Sequence, residues 1–186
     1  EQEIESLEQV IHGVDRTTHL IEQLLTLARL EPELIASDFA DVDLSALLVE
    51  ECALLSPLAI EKNIELDFSD ADIGSIRGHA DSLRLLIRNL LTNAIAYTPE
   101  GGRVSIRLEQ AEKTLLTIED NGPGIPDKIR EKVIQPFYTT KEDGTGLGLS
   151  IAERIVRNHG GIFTFESEEG RGTTFIITLA REVIKK

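Results

Sequence analysis

Between Ile4 and Ala28, seam positions recur alternately three and four residues apart: Ile4, Leu7, Ile11, Val14, Thr18, Ile21, Leu25 and Ala28. That is the a/d stripe of a bundle-forming helix, predicted over residues 1–31. Val10, Leu20, Leu24, Leu27 and Leu30 widen it to a full packing face. Pro32 stops the helix near Glu31. One helix cannot bury such a face alone, and no matching second helix follows. The pattern therefore predicts a homodimer through this segment.

Beyond an acidic connector over 32–43 the periodicity changes repeatedly. Helical spacing over 44–62 (Leu44, Leu47, Leu48, Glu51, Leu55, Leu58, Ala59) gives way to alternation over 64–69, with Ile64, Leu66 and Phe68 inward. Residues 75–78 read as a short strand. A helix over 79–98, opened by Asp81 or Ser82, presents Leu85, Leu86, Leu90, Leu91 and Ala94. Strands are predicted at 103–109 and 114–119, a short helix at 127–133, and a helix at 146–158 that ends on Gly160-Gly161. The last strands are 162–167 and 173–179. About five strands and three longer helices in mixed order predict an α+β fold, a mixed sheet with helices on one face.

Composition narrows the function. The 186 residues carry a formal net charge of −14. This argues against a general nucleic-acid partner and against charge-driven membrane binding. Cys52 is the single cysteine and sits among Ala53, Leu54 and Leu55, which points to a small core residue in a reducing compartment. No apolar run approaches the ~20 residues of a membrane span, and no signal-peptide pattern is present. The chain starts at Glu1 and contains no methionine, so it is expected to be a piece of a longer protein.

Candidate chemistry concentrates in three places. Asn89, Asn93 and Tyr97 are spaced four apart and share one helix face. Two stacked amides offer oxygens to a hard cation such as Mg²⁺; capping of neighbouring backbone groups is the alternative. Gly122 and Gly124 form one glycine cluster, and Gly144, Gly146 and Gly148 a second that runs into a helix. Backbone N–H groups at a helix start bind anions, so the pair suggests a nucleotide site. His12 and His19 lie beside the heptad seam. They read as rim histidines, with phospho-acceptance or metal binding as the lesser alternative.

In order, Asn89-x-x-x-Asn93, Asp120-Asn-Gly-Pro-Gly124, Pro136-Phe137-Tyr138, Gly144-Thr-Gly-Leu-Gly148 and Gly172-Thr173-Thr174-Phe175 resemble the N box, first glycine box, F box, second glycine box and closing motif of two-component sensor histidine kinases. Single glycine motifs are weak signals, whereas five in the family's order and spacing are strong. The resemblance implies a Bergerat-type (GHKL) α/β sandwich over 44–186, a linker at 32–43, and, at 1–31, the second helix of the dimerisation and histidine-phosphotransfer hairpin. The acceptor motif, His-Glu or His-Asp followed by Leu-Arg, does not occur; His12 precedes Gly13 and His19 precedes Leu20. The acceptor helix is expected upstream of Glu1.

Roles follow by resemblance. Asp120 accepts from the adenine amino group, with Gly122, Gly124 and Ile125 close to the base and Tyr97 packed beside it. Asn89 and Asn93 bind Mg²⁺, and Asn89 also counts as catalytic. Gly146 and Gly148 present N–H groups to the phosphates, and Phe137, Gly144, Thr145, Leu147 and Thr173 complete the ATP site. Residues 138–145 form a lid. Many family members carry a basic residue just before the N-box aromatic, where this chain has Ala96. Lys141 is the candidate to supply that charge as a catalytic and ATP-binding residue, a solvated loop lysine being the alternative; Arg88 is a second candidate. The resemblance further implies a response-regulator receiver domain as partner, and a place in the cytoplasmic portion of an inner-membrane sensor protein. Two other classes stay open: a GHKL-type clamp ATPase, which would carry a glutamate at position 89, and a pure interaction module.

Overall fold

The structure is a computed structural model and describes residues 17, 18, 21, 25, 38–70, 75–110, 112–141 and 144–180. Thr17, Thr18, Ile21 and Leu25 are helical, and Ile21 and Leu25 are about half exposed, at 50% and 53%. The rest of the heptad, with His12 and His19, lies outside the described residues. No helix among the described residues is long and apolar enough to cross a membrane.

Strand β1 (Ala40–Asp43) leads directly into helix α1 (Leu44–Glu61). Asp43 caps that helix by accepting from the Ala46 N–H at 2.9 Å. Pro57 lies inside α1 and cannot donate to the Ala53 carbonyl. The Ser56 hydroxyl donates to it instead, at 2.9 Å. Strands β2 (Glu65–Asp70) and β3 (Ser75–Gly78) follow, then helix α2 (Ala80–Tyr97). Neither Asp81 nor Ser82 caps α2. The cap is His79, whose ring accepts from the Ser82 N–H, because its extended backbone leaves the ring beside the first turn. Strands β4 (Arg103–Gln110) and β5 (Thr114–Asp120) form a hairpin. The predicted short helix shrinks to a single 3-10 turn, Asp127–Ile129. Helix α3 (Gly148–Asn158) starts two residues later than expected and precedes the hairpin of β6 (Ile162–Glu168) and β7 (Gly172–Leu179).

The five-stranded sheet runs β2-β4-β5-β7-β6. Only the β2–β4 pair is parallel. Alternation along its middle strands turns one row of side chains inward. Ile106, Ile118 and Phe175 lie side by side across β4, β5 and β7, as do Leu108, Leu116 and Ile177, and all are at most 3% exposed. The helices cover this face, with α2 between α1 and α3. The architecture is the predicted α/β sandwich of mixed sheet and three helices.

Two readings change. Part of the acidic connector is a strand: β1 pairs antiparallel with β3 in a separate two-stranded ribbon. Leu58, placed on the inward face of α1, is 47% exposed, whereas Glu51 on that helix is 1% exposed. The carboxylate of Glu51 accepts from Arg88 Nε and Nη2 at 2.8 and 2.9 Å and from Arg84 Nη1 at 3.2 Å. A charged triad of Glu51, Arg84 and Arg88 therefore joins α1 to α2 where the pattern suggested an apolar contact.

Candidate nucleotide site

The inward row of the sheet ends on the triplet Val104, Asp120 and Thr173, which are register partners across β4, β5 and β7. This puts a carboxylate where apolar side chains would otherwise continue, at the edge of a cavity of ≈ 990 Å³ between α2, α3 and the loops around them. Asp120 is 5% exposed. One of its oxygens accepts from the Gly122 N–H at 2.9 Å. Burial raises its pKa, against the opposing pull of backbone N–H groups of Gly122 and Thr173. The result is a buried, oriented acceptor.

The turn after Asp120 is tied to the β6–β7 hairpin. The Ile125 N–H donates to Ser167 Oγ at 2.7 Å, and that hydroxyl donates to the Gly172 carbonyl at 2.9 Å. A Cβ on Gly124, at φ +71°, would stand 2.1 Å from the Glu168 carbonyl oxygen, and one on Gly122 would stand 2.7 Å from Asp120 Oδ1. These glycines are required by protein backbone and by Asp120 itself. Gly124 and Ile125 line the cavity; Gly122 does not.

At the opposite end, Asn89 and Asn93 face the start of α3. A Cβ on Gly148 would meet Asn89 Oδ1 at 3.5 Å and Asn93 Nδ2 at 3.7 Å. The first turn of α3 has no side-chain cap, so its N–H groups remain available to an anion. Asn89 Nδ2 is buried without a hydrogen-bond partner. Capping of neighbouring backbone therefore does not account for this amide. Two amide oxygens match the hard-ligand preference of Mg²⁺. No cluster of three or more His, Cys, Asp or Glu side chains suited to a metal occurs among the described residues. The pair thus fits Mg²⁺ as a source of two of its oxygen ligands.

Between the two ends stands Tyr97, 40% exposed. Its hydroxyl lies 3.0 Å from Thr140 Oγ1. The Lys141 ammonium sits 4.4 Å from its ring centroid and donates to Asn93 Oδ1 at 3.2 Å. Lys141 is thus engaged inside the cavity, contrary to the solvated-loop alternative. Burial, and secondarily the charge of Lys62, lower its pKa. Gly144, Thr145, Gly146 and Thr173 also line the cavity. Residues 142 and 143 of the expected lid lie outside the described residues.

Besides Gly122, two expected contacts fall elsewhere. Phe137 is 62% exposed at φ +67° and does not line the cavity. Its backbone does the joining, since its N–H donates to the Gly146 carbonyl at 2.9 Å. Leu147 is fully buried in the core, where it anchors the start of α3. Arg88 lines the cavity but is held by Glu51. Thr139 and Thr140 line it too; their hydroxyls lie between the aromatic box and Lys141, a polar signal that sequence reading passed over. Lys62 was also missed. Its ammonium donates to the carbonyls of Ile95, Ala96 and Thr98 at 2.8, 3.0 and 2.6 Å, closing the C-terminus of α2. No motif marks it.

Residues 78–183 match the family described as "Histidine kinase-, DNA gyrase B-, and HSP90-like ATPase". The sensor protein kinase PmrB of Pseudomonas aeruginosa is 37% identical over 170 residues, covering 88% of this chain and 35% of PmrB. The sensor histidine kinase RppB of Synechocystis is 38% identical over 183 residues, covering 91% of this chain and 40% of RppB. The chain therefore spans well under half the length of these relatives. Among solved structures, the catalytic domain of histidine kinase ThkA superposes with a TM-score of 0.70 at 32% identity, covering 77% of this chain and 95% of ThkA's. Full-length ShkA, solved in complex with AMPPNP, gives 0.83 at 27% identity, covering 98% of this chain and 40% of ShkA's. With its sheet order, its two glycine turns and this cavity, the chain belongs to the histidine kinase-, DNA gyrase B- and HSP90-like ATPase family and carries a sensor histidine kinase ATPase catalytic domain.

Proposed function

We propose that this chain binds Mg·ATP in the cavity and presents the γ-phosphoryl to a histidine on a helix upstream of Glu1. The phosphoryl then passes to an aspartate of a response-regulator receiver domain. The reading is carried by the polarity of the cavity. A buried carboxylate, Asp120, stands at one end, and Asn89 and Asn93 face an open helix start at the other. Asp120 accepts from the adenine amino group, and Tyr97 flanks the base. Asn89 and Asn93 hold Mg²⁺, which neutralises phosphate charge when bound. The N–H groups at the start of α3 receive the phosphates.

An asparagine at position 89 cannot take a proton from water near neutral pH. The site therefore supports transfer to an external nucleophile by positioning and charge neutralisation, and not hydrolysis. Dimerisation through residues 1–31 and a cytoplasmic place in an inner-membrane sensor belong to the same proposal.

Isothermal titration with ATP and Mg²⁺ tests it, and saturable binding is expected. Asp120→Asn should weaken binding roughly 10- to 100-fold, the size of one hydrogen bond to a charged group. Wild-type affinity in that variant would remove the adenine assignment. Adding a separately made acceptor hairpin should yield acid-labile phosphate, whereas rapid ATP turnover without it would point to a clamp ATPase.

A further inference from the structure

Lys141 is a half-buried cation that forms no ion pair with a carboxylate among the described residues. Its side-chain partners among the described residues are two groups of the nucleotide cavity, the Asn93 amide oxygen at 3.2 Å and the face of Tyr97 at 4.4 Å. A desolvated ammonium with only neutral partners is costly unless an anion completes its shell. The other nearby ammonium is committed elsewhere, because Lys62 donates to three backbone carbonyls at the end of α2. The oxygen that Lys141 holds is also the one the nucleotide reading assigns to the metal. Two cations on one amide oxygen repel strongly in a low-dielectric cavity.

We propose that Lys141 and the divalent cation are alternative occupants of the Asn93 position, Lys141 serving as a built-in cation whenever metal is absent. The inference rests on the nucleotide reading above. In the nucleotide-free protein, Lys141, with the Tyr97–Thr140 hydroxyl contact at 3.0 Å, holds the loop after Tyr138 against α2. When nucleotide enters without metal, the ammonium stays by Asn93 and faces the phosphates. When nucleotide enters with metal, Lys141 leaves Asn93. The residue thus sets how strongly binding depends on metal.

The test is titration of ADP into wild type, Lys141→Met and Lys141→Arg, each in Mg²⁺ and in EDTA. Amide hydrogen exchange over residues 139–141 of the nucleotide-free proteins is read in parallel. Wild type should bind metal-free ADP within about tenfold of its affinity for Mg·ADP. Lys141→Met should lose at least about tenfold more affinity in EDTA than in Mg²⁺. Lys141→Arg keeps the charge and should restore most of the metal-free binding. Exchange over 139–141 should accelerate in Lys141→Met. Equal losses in both buffers, or unchanged exchange, would overturn the shared-position assignment while leaving the nucleotide site standing. Failure of folded wild type to bind ADP in either buffer would overturn the nucleotide reading itself. The exchange comparison would then still decide whether Lys141 latches the loop.

Discussion

Glu51 shows how one side chain alters the meaning of a pattern. It occupies an inward position of α1, where alternation alone would place an aliphatic residue. Burial pushes its pKa up, but hydrogen bonds and charge from Arg88, then Arg84, outweigh this and hold it below the usual 4.5. A carboxylate with a depressed pKa adds stability that is fully present above its unfolded value and is lost as pH falls through the folded one. The two arginines are 34% and 45% exposed, so they stay partly hydrated if Glu51 is removed. Glu51→Gln should therefore cost about 2 kcal/mol, less than the loss of a fully buried pair. Urea unfolding should show that difference as constant from pH 7 to about 5 and narrowing below pH 4.5.

At the level of elements, the β1–β3 ribbon joins the connector to the far end of α3. Phe39, just before β1, stacks on His159 with ring centroids 4.8 Å apart. His159 follows α3 and uses both ring nitrogens. Nδ1 donates to the Ile155 carbonyl at 2.8 Å, and Nε2 accepts from the His79 N–H at 3.1 Å. That arrangement requires the neutral ring. Burial lowers the pKa below the usual 6.5; the Ile155 carbonyl opposes this, and the charge of His79 reinforces it. A base whose folded pKa is depressed contributes fully above its unfolded value and loses that contribution as pH falls below it. The melting temperature should therefore drop between pH 7 and pH 5.5, and His159→Gln should flatten that drop. An equal drop in the variant would assign the acid sensitivity to other groups. The N-terminal end of the same helix faces Asn89 and Asn93, so α3 spans from the ribbon to the Asn89–Asn93 end of the cavity.

For the molecule as a whole, the cavity lies between α2, α3 and the loops around them, so a bound nucleotide would contact several elements at once. Nucleotide that binds only the folded state raises stability by about 2.7 kcal/mol at a hundredfold excess over Kd. In a domain of this size that amounts to a rise of roughly 5–10 °C in Tm. The rise should grow with Mg·ATP concentration and largely vanish in Asp120→Asn. A melting curve insensitive to Mg·ATP would contradict the proposed site. A net charge of −14 gives the molecule an overall field that repels anions. Attraction for an anionic ligand must therefore come from within the cavity.

Periodicity in the chain was enough to determine the three helices and the strands of the five-stranded sheet, and it placed the candidate site residues on their elements. Helical spacing of four places Asn89, Asn93 and Tyr97 on one face, and strand alternation turns Asp120 inward; both are local consequences of backbone geometry. Long-range packing decided the rest. Phe137 and Leu147 belong to motifs at the site, yet one is turned outward and the other buried, because the backbone link between Phe137 and Gly146 sets their directions. Gly122 and Gly124 are glycines because Asp120 and the end of β6 approach them, the Gly124 contact being with the Glu168 carbonyl, 44 residues further on. The same holds for Lys62 on the end of α2 and Lys141 on Asn93, 48 residues apart. Local pattern specifies which face a residue takes, but only the folded chain determines which distant group meets it there.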